Sequence, residues 1–128
     1  INELWTQEHY KFSGQDEHVH PGNQLSGFYF LEVPNKAPRA IIHDPRPAKV
    51  FSNLFEIDVT QASHASTMIN FVPEPGDLFF TNAYMAHSFS RHASDTLPIK
   101  FVHMNIYVQW NGQTQEQQCE VDTSVEIV

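Results

Sequence analysis

Branched and aromatic residues along this chain fall in short runs, each cut off by Pro, Gly, Asn or Asp, which is how β-strands joined by turns are written. Residues 24–33 form the longest such run and residues 39–43 a second, closed by Pro45 and Pro47 because proline offers no ladder donor. Residues 67–72 and 77–81 read as strands around the turn Pro73-Glu-Pro-Gly76, and residues 86–90 and 99–108 carry the same β-rich composition. Some eight short strands without an internal repeat predict an all-β double or closed sheet. Helical period is confined to residues 1–10, which admits a short N-terminal helix. Residues 48–66 mix polar and isolated apolar positions and read as loop, with room for a short strand or a substrate-facing flap. Phe28, Phe30, Phe79 and Phe80 are expected in the core, and Trp5, Tyr10 and Phe12 are expected to pack.

With 128 residues, 41% of them hydrophobic, the chain suffices for one domain with one core. We expect residues 1–128 to form it, with the core over residues 5–108 and a polar tail or edge strand over 109–128. Fifteen acidic against seven basic residues give a net charge of −8, which opposes attraction to nucleic acid and to anionic membrane surfaces. The lone cysteine, Cys119, has no partner for an internal disulfide, and no apolar run approaches membrane-spanning length, so a reducing, cytoplasmic setting is expected. Exposed strand edges on a small acidic β-domain favour a homodimer.

The chemistry-bearing residues are histidines. His18 and His20 stand two apart in an extended segment, so their imidazoles point to one side, and His87 is brought over from far downstream by a β-fold. Three such groups make one face of a mononuclear metal site, iron first among the candidates. Eight histidines make chance pairs common, and His9, His64 and His92 read as solvent or loop residues. His43-Asp44-Pro45 reads as a strand end and turn, with Arg46 pairing a nearby acid or reaching a substrate.

Six ordered pieces make the pattern specific: His18-Val-His20-Pro-Gly, Leu25-Ser-Gly-Phe-Tyr-Phe-Leu31, Val33-Pro34, His43-Asp-Pro-Arg46, Pro75-Gly76 and His87. In this order the chain resembles the iron(II)/2-oxoglutarate oxygenases, specifically a small prolyl-hydroxylase-like group found in marine bacteria and cyanophages. The resemblance implies a double-stranded β-helix, or jelly roll, binding Fe(II) and the co-substrate 2-oxoglutarate. It implies hydroxylation of a small molecule or peptide with release of succinate and carbon dioxide. His18 and His87 match metal ligands. Most relatives carry a carboxylate where His20 stands, so the expected set is His18, His20 and His87, with Asp44 in reserve. A neutral imidazole in that place leaves more charge on the ion and draws an anionic co-substrate more strongly.

The resemblance also asks for a cation against the far carboxylate of the co-substrate, and Lys100, thirteen residues beyond His87, matches its place. Lysine binds there as a point charge, where arginine would make a fork. Alternation puts Lys100, Val102 and Met104 on one face and Ile99, Phe101, His103 and Asn105 on the other. If the second face lines the interior, His103 and Asn105 replace Lys100 as polar candidates. Tyr29 matches a tyrosine that hydrogen-bonds the co-substrate. Two other readings compete: a cupin-like three-histidine enzyme that uses no keto acid, and a non-catalytic jelly-roll binding module.

Overall fold

The computed structural model describes residues 1–46, 54–55, 57–58, 61–94 and 97–109. Residue 109 apart, the expected tail at 109–128 lies outside the described residues, as do residues 48–53 of the expected loop. Among the described residues eight strands run in order: β1 (Glu3–His9), β2 (Gln15–His18), β3 (Leu25–Glu32), β4 (Ala40–His43), β5 (Met68–Phe71), β6 (Leu78–Asn82), β7 (His87–Phe89) and β8 (Ile99–Ile106). They form two four-stranded antiparallel sheets, β1-β8-β3-β6 and β2-β7-β4-β5, in the jelly-roll arrangement. The all-β expectation holds. No helix among the described residues is long and apolar enough to cross a membrane.

The N-terminal helix is corrected to a strand. All seven residues of β1 pair with β8, from Glu3 opposite Asn105 to His9 opposite Ile99. Along β1 the more buried positions are Trp5, Gln7 and His9, spaced by two, while Leu4, Thr6 and Glu8 are exposed. A helix this short is marginal alone, whereas strand pairing satisfies backbone groups on both partners.

Phe28, Phe30, Ala40, Phe89, Ile99 and Phe101 form the buried core between the sheets, and Val33, Ala37, Phe71 and Phe79 pack against it. Phe89 of one sheet stacks on Phe101 of the other, ring centres 5.0 Å apart. Alternation separates two neighbours that were expected together. Phe79 faces Phe28 in the core, while Phe80 points outward over Gly27, where an added Cβ would lie 2.7 Å from the Phe80 ring. Tyr10 and Phe12 are also exposed, at the turn that follows β1. His9 and His92 are buried instead of solvated: His9 sits edge-on to Phe89 and Phe101, and His92 Nε2 donates to the Leu97 carbonyl at 2.7 Å.

Two glycines in left-handed backbone make the turns that matter here, Gly22 (φ 83°) between β2 and β3 and Gly76 (φ 94°) between β5 and β6. Gly22, two residues after His20, lies where the chain passes from one sheet to the other.

Phe30 is 1% exposed at the centre of this core. Phe30→Ala is therefore expected to cost about 3–5 kcal/mol in urea unfolding. A loss below about 1 kcal/mol would contradict this packing.

Candidate metal centre

β2 and β7 pair so that His18 lies directly opposite His87, with a register irregularity between Gln15 and His18. Two residues further on, the His20 amide donates to the Ala83 carbonyl at 2.9 Å, which ties the end of this segment to the chain leaving β6. The three imidazoles expected from the sequence therefore converge. One ligand nitrogen from each of His18, His20 and His87 lies within 4.8 Å of the others, and the Nε2 atoms of His20 and His87 are 3.2 Å apart. Two imidazoles bound at right angles to one ion, each about 2.1 Å from it, would stand about 3 Å apart.

The backbone prepares two of the rings. His18 Nδ1 lies 2.7 Å from the Asp16 carbonyl and His87 Nδ1 lies 3.1 Å from the Met85 carbonyl. A carbonyl only accepts, so each Nδ1 carries the proton and donates it. In the neutral ring Nε2 then holds a lone pair, as a metal ligand requires. Burial, opposed by the Met85 carbonyl, lowers the His87 pKa to about 4, with neighbouring His18, His20 and His43 adding to the depression. Burial and His18 also lower His20, while Glu3 opposes that shift.

A fourth imidazole stands beside the three. His103 is 1% exposed, and among the described residues neither ring nitrogen has a hydrogen-bond partner. It stacks on Phe28 at 4.5 Å and takes the edge of Trp5 at 4.1 Å, with its centre 4.7 Å from that of His20. Burial, followed by His20 and His87, lowers its pKa to about 3. A neutral imidazole keeps one N–H, and leaving that donor unpaired inside a protein is costly.

The phase of β8 decides between the two faces considered above. Ile99, Phe101, His103 and Asn105 are buried, and Lys100 lies on the opposite face. There its Nζ is 3.2 Å from Glu32 and 4.0 Å from Glu8, and its pKa is raised by Glu32. Lys100 is thus corrected from a pocket cation to a surface ion pair, because its inward neighbours are apolar. Tyr29 faces outward too, paired with Val102 and Leu78. Asn105 is interior and engaged at both ends, accepting from Ser26 Oγ at 3.1 Å and donating to Glu3 at 2.6 Å. Asp44 takes the guanidinium of Arg46, with Nε–O distances of 2.9 and 3.1 Å, and stands outside the imidazole cluster.

Sequence reasoning missed three groups. Trp5 was expected only to pack, yet its ring edge meets His103. The Met85 carbonyl, which orients His87, has no side-chain signature. His43 reads from sequence as a strand end, yet its Nε2 lies 3.0 Å from the Ser88 hydroxyl on β7.

A family model described as "Putative 2OG-Fe(II) oxygenase" matches residues 3–102, a span that includes all three clustered imidazoles. No curated protein matches the chain.

The depressed histidines make stability depend on pH. His87 and His103 titrate at about 4 and about 3 in the fold, against 6.5 for the free group. Below pH 6.5 the unfolded chain binds protons that the fold refuses, so their stabilising contribution is complete above 6.5 and is lost as pH falls toward 4 and then 3. Without added metal, the urea midpoint is expected to drop steadily from pH 7 to pH 4.5, and His103→Leu is expected to flatten the drop. A midpoint constant across that interval would contradict the buried, neutral state of these rings.

Proposed function

This chain belongs to the putative 2OG-Fe(II) oxygenase family, and from that premise we propose that it is an iron(II)- and 2-oxoglutarate-dependent oxygenase. It hydroxylates its substrate with release of succinate and carbon dioxide. The observation that carries this reading is the convergence of three imidazoles, two of which are turned by backbone carbonyls so that Nε2 is the free nitrogen.

These residues fit a divalent ion. His18, His20 and His87 would hold it, and the Asp16 and Met85 carbonyls fix the tautomer of two of them. Bound iron(II) supplies activation of dioxygen coupled to oxidative decarboxylation of the keto acid. Three neutral ligands cancel none of the ion's charge, so the centre favours an anionic co-substrate. Among the described residues, the unpartnered nitrogens of His103 are the group best suited to meet it: one N–H, buried beside His20, with no acceptor found among those residues. Phe28 and Trp5 hold that ring between a stacked face and an edge, which restricts its orientation and keeps water from it. Asn105, tied to Ser26 and Glu3, stiffens the adjoining wall and leaves recognition to His103.

A second reading has one observation in its favour. None of the Lys and Arg residues named at this site faces the imidazoles: Lys100 is paired outward and Arg46 is paired to Asp44. A three-histidine metalloenzyme that uses no keto acid needs no such cation.

Anaerobic titration of iron(II) and 2-oxoglutarate, followed through the weak visible charge-transfer band, tests the two. The band is expected to form, to disappear in His18→Ala and His87→Ala, to need several-fold more keto acid in His103→Leu, and to be unaffected by Lys100→Ala. Succinate is expected to appear in step with substrate oxidation. Metal binding without a band, together with turnover that needs no keto acid, would favour the second reading.

A further inference from the structure

The jelly roll has an open flank. One sheet ends at β6 and the other at β5, and between these edges lies a cleft of about 420 Å³ walled by Ile42, Ile69, Phe71, Phe79, Phe80 and Met85. Its polar lining residues, Thr81 and Asn82, are neutral, and no charged residue among those described lines it. The cleft adjoins the imidazoles. Ile42 is the cross-strand partner of both His87 and Ile69, and Met85 supplies the carbonyl that orients His87. Phe79 pairs with Phe28, whose ring lies 5.2 Å from that of His87.

A second cavity, about 230 Å³, shares Ile42, Ile69 and Met85 with the first and continues the space toward Ser63, Ser66 and the Asp44–Arg46 pair. In that pair the Arg46 guanidinium meets both carboxylate oxygens of Asp44. The combined space is therefore an apolar trough with a polar end.

We infer that this cleft receives the primary substrate, and that the substrate is an uncharged, predominantly apolar small molecule. The inference rests on the oxygenase reading and names the substrate class of the same site. A volume of this size, with mostly apolar walls and a few polar groups, is what small-molecule sites present. A charged group carried into it would lose its hydration without gaining a partner, whereas an apolar body gains by leaving water. The substrate is selected by shape and by exclusion of charge, with any hydroxyl or amide group directed to the polar end.

The test uses two dyes with the same aromatic body and the full chain loaded with manganese(II), metal binding being measured separately by calorimetry. N-phenyl-1-naphthylamine is neutral, and 8-anilinonaphthalene-1-sulfonate adds a negative charge. The neutral dye is expected to bind at one saturable site at least tenfold more tightly than the sulfonate. Its proton resonances are expected to broaden while manganese is bound and to sharpen when the ion is chelated. Ile69→Asp, at a half-exposed position of β5, is expected to weaken the neutral dye at least tenfold, and Phe80→Gln supplies the same test on the opposite edge if the first variant folds poorly. Equal binding of the two dyes, or indifference to both substitutions, would overturn the substrate class. Binding without broadening, with manganese in place, would overturn the cleft as the substrate site. Displacement of the neutral dye by an extended peptide, but not by small apolar alcohols, would overturn the small-molecule assignment. Absence of metal binding would instead overturn the oxygenase reading and the inference with it, and calorimetry separates that outcome from the others.

Discussion

The antiparallel pairing of β2 with β7 is the contact on which the site depends, because it sets His18 opposite His87 across nearly seventy residues of chain. β2 is short, with two central residues exposed, so little burial of its own holds it there. What holds it is the hydrogen-bonding at its ends. The His20 amide reaches the Ala83 carbonyl, and Gly22 turns the chain toward β3 in a backbone conformation that side chains resist. The aromatic core does the rest at a distance, by keeping the two sheets in contact through Phe28, Phe89 and Phe101.

Burial and ligation pull in the same direction at His20 and His87. A buried imidazole resists protonation, and a metal needs it unprotonated, so the environment that lowers the pKa of His87 also keeps its lone pair available. The cost is a cluster of polar rings in the interior, most visible at His103, whose two nitrogens lack partners among the described residues. Such a group is retained more readily where a ligand completes it than where packing alone is at stake. The neighbouring cleft has the opposite character, apolar and uncharged.

His18 and His20 were legible in the sequence because spacing by two in an extended segment is a local property, and His87 was legible through the order of the motifs around it. β8 was legible as a strand but its phase was not. Ile99 and Phe101 are no more apolar than Val102 and Met104 taken together, so nothing local says which face turns inward. The answer comes from β1 and β3 on either side, and it moves Lys100 outward and His103 inward. The same non-locality made β1 look helical, since its partner lies some ninety residues away, and made His9 and His92 look solvated. Phe80 was placed in the core on hydrophobicity, where the one-residue offset from Phe79 sends it to the other face.

In the proposed centre three histidines, with no carboxylate, hold one metal ion. X-ray absorption at the iron edge of the anaerobically loaded protein counts imidazoles directly through their multiple-scattering pattern. Three imidazoles on a single iron are expected, falling to two in His20→Ala. Two or fewer imidazoles in the unaltered chain, or a pattern unchanged by His20→Ala, would contradict it.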